Sequence, residues 1–150
     1  MRALLRRVLS ASVSVDGRVV GAIERGLLIY LAVGREDNEE DADWIIKKFL
    51  SVRVFEDHQG RMNNPISNQD GILLVSQFTL FGNVRKGNRP SFNDAAGGEF
   101  AESMFKLVSA RVPEFFLGQV EVGVFGADMK VMANDDGPVT IWLDSKNKSY

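Results

Sequence analysis

The run from Leu27 to Val33, bracketed by Gly26 and Gly34, limits the fold more than any other stretch of this 150-residue chain. Seven apolar residues without alternation are short for a helix and suit a strand covered on both faces. Some layer of structure must therefore pack on each side of the sheet that holds it. The run is also far shorter than the ~20 apolar residues that cross a bilayer, so no membrane partner is expected.

Signals around this strand are consistent with one α+β unit. Val13 and Val15 alternate with serines, and Asp16-Gly17 supplies turn chemistry for a hairpin leading into Val19, Val20 and Ile23. Asp37 and Glu40 have capping-box spacing ahead of Ala42, Ile45, Ile46, Phe49 and Leu50, which predicts a first helix. Val52 and Val54 suggest a short strand, residues 56–70 a polar loop, and Ile72 to Leu80 another strand. Asn93 or Asp94 can cap a second helix carrying Phe100, Met104, Leu107, Val108 and Arg111. Gln119 to Phe125, Met129 to Met132 and Val139 to Leu143 then predict three short strands.

About seven strands and two helices that do not alternate as βαβα imply a mostly antiparallel or mixed sheet with helices on one side. Without an internal repeat or a Pro/Gly-rich linker, residues 1–150 are expected to form one domain.

Composition narrows the chemistry. The chain has no Cys and one His, which removes thiolate metal sites and Cys nucleophiles and leaves no metal or cofactor expected. Lys and Arg total 18 against 20 Asp and Glu, so any contact with nucleic acid must be local. The N-terminus lacks the apolar core of a secretory signal, making a cytoplasmic protein the expectation. Neither a phosphate-binding loop of the Walker type, a dinucleotide fingerprint nor a Gly-x-Ser-x-Gly elbow occurs. His58, within Glu56-Asp-His-Gln-Gly60, has the setting of a solvated turn residue.

Three polar segments remain, each with two readings. Ser76, Gln77 and Thr79 close an apolar strand, either as a strand edge or as the wall of a polar site. Asp135-Asp-Gly-Pro-Val-Thr140 is either turn punctuation or, with a cis bond at Pro138, a device that aims two carbonyls unusually. Arg85, Lys86 and Arg89 lie among glycines and Asn88, as a solvated basic loop or as phosphate contacts.

Jointly, Ser76-Gln-Phe-Thr-Leu80, Arg85-Lys-Gly-Asn-Arg-Pro-Ser-Phe92, Phe125-Gly-Ala-Asp-Met129 and Gly137-Pro-Val-Thr140 resemble the D-aminoacyl-tRNA deacylase family, also called D-tyrosyl-tRNA deacylase. The resemblance spans the chain and implies a homodimeric, β-barrel-like α+β enzyme that hydrolyses the ester of D-aminoacyl-tRNA, and of tRNA mischarged with glycine. It implies a catalytic pocket at Ser76, Gln77, Phe78 and Thr79, with Gly137 and Pro138 inserted from the partner subunit for chiral selection. Phe125 and Met129 would hold the terminal adenine, and Arg85, Lys86 and Arg89 would meet tRNA phosphates.

One departure stands out, since Asp135 occupies the position two before Gly137 where the family commonly has Asn. Backbone N–H groups near Phe78 and Thr79 suit an oxyanion, and Thr79 lacks an identifiable base for nucleophilic attack. The rival from another class is a non-catalytic module that binds single-stranded nucleic acid through the basic loop and stacking Phe residues.

Overall fold

The computed structural model describes residues 1–149. Its order is β1 (Arg2–Val15), β2 (Arg18–Ile23), β3 (Gly26–Ala32), α1 (Glu39–Ser51), β4 (Phe55–Glu56), β5 (Met62–Asn64) and β6 (Gly71–Ser76). A 3-10 turn (Phe78–Phe81), α2 (Gly98–Phe115), β7 (Gln119–Val122) and β8 (Lys130–Asp144) follow.

The main sheet runs β2-β1-β3-β6-β7, with β8 also on β1. β3–β6 and β6–β7 are parallel, whereas β1 pairs antiparallel with β2, β3 and β8. β2 curls toward β7, where the Gln119 amide donates to the Ala22 carbonyl at 3.0 Å, so the mixed sheet nearly closes on itself. The expected α+β, barrel-like architecture with two main helices is the one found.

The apolar run is covered twice, as its sequence demands. Leu27, Ile29 and Leu31 face the helices and pack with Ile45, Ile46 and Phe49 of α1 and Met104, Phe105 and Val108 of α2. Leu28 turns the other way, into a barrel interior shared with Val8, Val13, Ile23, Leu73 and Val75. At the start of β3, a Cβ on Gly26 would lie 1.8 Å from the Gly71 carbonyl oxygen, so this close backbone approach excludes any side chain there.

Several local expectations shift. The helix cap is Asn38, not Asp37: Asn38 Oδ1 accepts from Asp41 N–H at 3.1 Å, and Asp41 returns the bond to Asn38 N–H at 3.0 Å. Asp37 is diverted because the buried Met1 ammonium donates to its carboxylate at 2.5 Å, while its second oxygen accepts from Gly34 N–H at 2.6 Å. The predicted 56–70 loop contains part of the β4–β5 hairpin, organised by Asp57, which accepts from the N–H groups of Gln59 and Arg61.

The strand predicted to reach Leu80 ends at Ser76 and coils into the 3-10 turn. Likewise α2 starts at Gly98 rather than at Asn93 or Asp94, because residues 94–96 bond back to Val33 and Arg35 before the helix can begin. Phe100 is exposed, and Phe105 takes its expected place in the core. Finally, the two strands expected within 129–143 are one, since β8 passes through Asn134 to Pro138 as a bulged stretch opposite Arg6 to Ser10.

Candidate active site

A cavity of about 480 Å³ opens at the carboxyl ends of the parallel strands β3 and β6. Such concave, mostly apolar clefts are where small ligands bind. Ser76, Gln77 and Phe78 line one wall, and Phe125 and Met129, in the segment between β7 and β8, line another. Five of the residues singled out from sequence are thus brought together. Phe105 of α2 completes the apolar side, its ring 5.9 Å from that of Phe125. Phe105 gives no sequence signal of a site role, because it follows the helical spacing of ordinary core residues.

The 3-10 turn leaves donors open beside this cavity. Gln77 N–H donates to Leu31 O at 2.8 Å, Leu80 N–H to Gln77 O at 3.2 Å, and Gly82 N–H to Thr79 O at 2.8 Å. The intervening N–H groups of Phe78 and Thr79 have no acceptor among the described residues. Short helical turns leave their first amides unpaired, so these donors are available to a ligand oxygen. Thr79 is exposed and is not among the residues lining the cavity; its hydroxyl accepts from the Gln77 amide at 2.6 Å. A neutral amide cannot remove the hydroxyl proton.

Arg85, Lys86 and Arg89 sit on an exposed loop that leaves the 3-10 turn and is closed by paired backbone bonds between Asn83 and Ser91. Its return brings Phe92 edge-on to Phe78, with ring centroids 5.1 Å apart. Phe78 itself is 56% exposed, unusual for a Phe and suited to contact with a partner. His58 lies on an exposed turn and does not line the cavity.

Gly137 and Pro138 do not line this cavity either. They stand exposed on β8, joined by a cis peptide bond, with Gly137 at φ +120°. Two arginines of β1 hold the stretch from behind. Arg7, only 6% exposed, donates to the Asp136 and Val54 carbonyls at 3.2 and 2.6 Å and pairs with the Asp136 carboxylate at 3.0 Å. Arg6 grips Asp135 with a bidentate pair at 3.0 and 2.5 Å, and that hydrogen-bonded carboxylate raises the Arg6 pKa above its ordinary value. Asp135 therefore does work that an uncharged Asn could do only in part.

A small α+β fold thus carries an apolar pocket with open backbone donors, and a basic loop leaves the same 3-10 turn. The family model for D-Tyr-tRNA(Tyr) deacylase matches residues 4–144. Curated relatives named D-aminoacyl-tRNA deacylase include one from Thermosipho melanesiensis, 46% identical over 97% of this chain and 98% of its own length. Another, from Opitutus terrae, is 48% identical over 97% of each chain. The solved structure of a protein named c-Myc DNA unwinding element binding protein superposes with a TM-score of 0.90 at 38% identity, covering 96% of this chain and 98% of that one. A probable eukaryotic D-amino acid tRNA deacylase shares the fold, with a TM-score of 0.80 at 17% identity over 95% and 97% of the two chains. The chain belongs to the D-Tyr-tRNA(Tyr) deacylase family.

Proposed function

We propose that this protein hydrolyses the ester joining a D-amino acid to the terminal adenosine of tRNA, releasing free D-amino acid and tRNA and leaving L-aminoacyl-tRNA intact. The reading treats residues 1–150 as one deacylase domain acting as a homodimer. The observation that carries it is the pair of open N–H groups at Phe78 and Thr79 beside an apolar cavity, in a chain 46–48% identical to relatives named for this activity.

Water attacks the acyl carbon, the developing oxyanion accepts from those backbone donors, and the 3′-oxygen leaves with a proton. An aminoacyl ester is a reactive substrate, so positioning and oxyanion stabilisation suffice without a strong side-chain base. The substrate's own 2′-OH can pass the proton. Thr79 acts by its backbone rather than as a nucleophile, since the neighbour of its hydroxyl is the Gln77 amide.

Phe125 and Met129 hold the terminal adenine, while Arg85, Lys86 and Arg89 meet phosphates. Gly137 and Pro138 of one protomer enter the cavity of its partner, where their carbonyls accept from the substrate ammonium and leave no room for an L side chain. Their exposure, and their absence from the walls of their own chain's cavity, support this arrangement. Glycine, which has no side chain to exclude, passes the same filter, so glycyl-tRNA is a second substrate.

The test is deacylation of D-Tyr-tRNA, L-Tyr-tRNA and Gly-tRNA by the purified protein. Release from the D and glycyl esters alone is expected. Tight tRNA binding without release would instead favour a non-catalytic nucleic-acid-binding module, the class suggested by the name of the structural relative at 38% identity.

A further inference from the structure

The structure assigns to Arg2 the role of a positioning residue for the 3-10 turn that presents the Phe78 and Thr79 amides; the assignment rests on the function proposed above. Arg2 is the first residue of β1 and touches neither the cavity wall nor the basic loop. Its guanidinium reaches across the end of the sheet instead. Nε donates to Asp144 Oδ2 at 2.9 Å, and Nη1 donates to the Leu80 carbonyl at 3.0 Å. The same group lies 4.3 Å from the ring centroid of Phe81 and 5.7 Å from that of Trp142.

A four-residue 3-10 turn holds itself weakly, with poor hydrogen-bond geometry and unpaired carbonyls at its end. Here its start is fixed by the bond from Gln77 N–H to Leu31 O on β3. Its end is fixed by Arg2, which satisfies Leu80 O, covers Phe81 and is itself braced against β8 through Asp144 and Trp142. The open amides lie between these two attachments, so their direction follows from both. A cation is also the favoured group at the carboxyl end of a helical turn. Lys can replace it only in part, because one ammonium lacks the planar fork that donates to Asp144 and Leu80 while lying against two rings.

The experiment compares wild type, Arg2→Ala and Arg2→Lys for kcat and KM on D-Tyr-tRNA, for thermal unfolding, and for amide hydrogen exchange at Leu80 and Gly82. Misplaced donors act on the transition state rather than on tRNA affinity, so Arg2→Ala is expected to lower kcat about tenfold with KM within about twofold. Exchange at Leu80 and Gly82 should accelerate, and millimolar guanidinium should restore part of the kcat of Arg2→Ala but add nothing to wild type. Arg2→Lys should show the same pattern more weakly, and it carries the test if Arg2→Ala does not fold.

A folded Arg2→Ala with unchanged kcat and unchanged exchange overturns the assignment. So does a loss that vanishes well below the melting temperature, which marks a merely stabilising role. Wild type that hydrolyses no D-Tyr-tRNA overturns the proposed function instead, and the exchange measurement then still decides whether Arg2 holds the turn.

Discussion

Two polar interruptions of apolar strands, one at Ser76 to Thr79 and one at Asp135 to Thr140, have opposite fates in the folded chain. The first turns inward at the strand end: Ser76 and Gln77 are half-buried, they line the cavity with Phe78, and the segment is tied to β3 and β1. The second stays on β8, whose partner within the chain is β1, and exposes Gly137 and Pro138 to solvent. It is nevertheless restrained, because the nearly buried Arg7 holds Asp136 and Arg6 pairs with Asp135. Ordering exposed backbone this way costs conformational freedom. One segment thus forms a pocket while the other presents exposed backbone, as the proposed site shared between two protomers requires.

Breaking the second segment should have the largest effect. Gly137 has φ +120°, and a Cβ there would lie 2.8 Å from Val139 Cγ2 and 3.2 Å from Arg7 Nη2. Gly137→Ala must therefore move the tip, and a displacement of about 1 Å suffices for a loss on the order of 100-fold in kcat/KM. Its own cavity remains intact, so mixing with a cavity-filling variant such as Ala96→Trp should restore activity. Random re-pairing makes half the dimers mixed, each with one whole site, and about a quarter of wild-type activity is expected. No recovery after subunit exchange would show that the two segments do not act together.

The basic loop comes next in size. Arg85→Ala with Arg89→Ala should weaken tRNA binding about tenfold at low salt and reduce the slope of log K against log salt by about two. Preference for the D ester should survive, because phosphate contacts do not sense an α-carbon. Filter binding across a salt series measures the first, and paired D and L deacylation the second.

The contrast between the two segments was only half legible in the sequence. Alternation and turn residues marked the hairpin, and the buried run of β3 followed from its unbroken hydrophobicity, because local burial writes a local pattern. The cap at Asn38 was not legible, since Asp37 is claimed by the Met1 ammonium 36 positions away. Nor was the continuity of β8, whose polar bulge reads as a turn until β1 supplies a partner strand. Ser76, Gln77, Phe78, Phe125 and Met129 were found through motifs and do share one cavity, whereas Phe105 looks like any core residue until Phe125 folds against it. Arg2 carries no local signal either, since nothing near it in the sequence tells that it reaches Leu80, 78 positions on.

Thr79→Ala probes the pocket segment. The donor assigned to this residue is its N–H, which alanine keeps, and the lost hydroxyl only accepts from Gln77. A reduction in kcat of less than about fivefold is expected. Complete loss in a folded protein, or an acyl ester trapped on Thr79, would return the hydroxyl to the centre of the chemistry.

The smallest effect concerns Asp135, whose carboxylate is held by Arg6. Its two oxygens accept from Arg6 Nε and Nη2, so Asp135→Asn keeps one acceptor and loses the charge and the second bond. Both side chains are partly exposed, at 26% and 34%, and such pairs contribute little once solvent and salt screen them. The expected cost is about 0.5 kcal/mol of stability, read by denaturant unfolding and shrinking as ionic strength rises. Arg6, whose pKa the pair raises, would move back toward its ordinary value; it stays charged throughout the accessible range, so no new pH dependence should appear near neutrality. Because Arg7 still holds Asp136 and Val54, the tip should stay in place and kcat should remain within about twofold. A much larger loss would mean that Arg6, rather than the buried Arg7, is the restraint that aims Gly137 and Pro138.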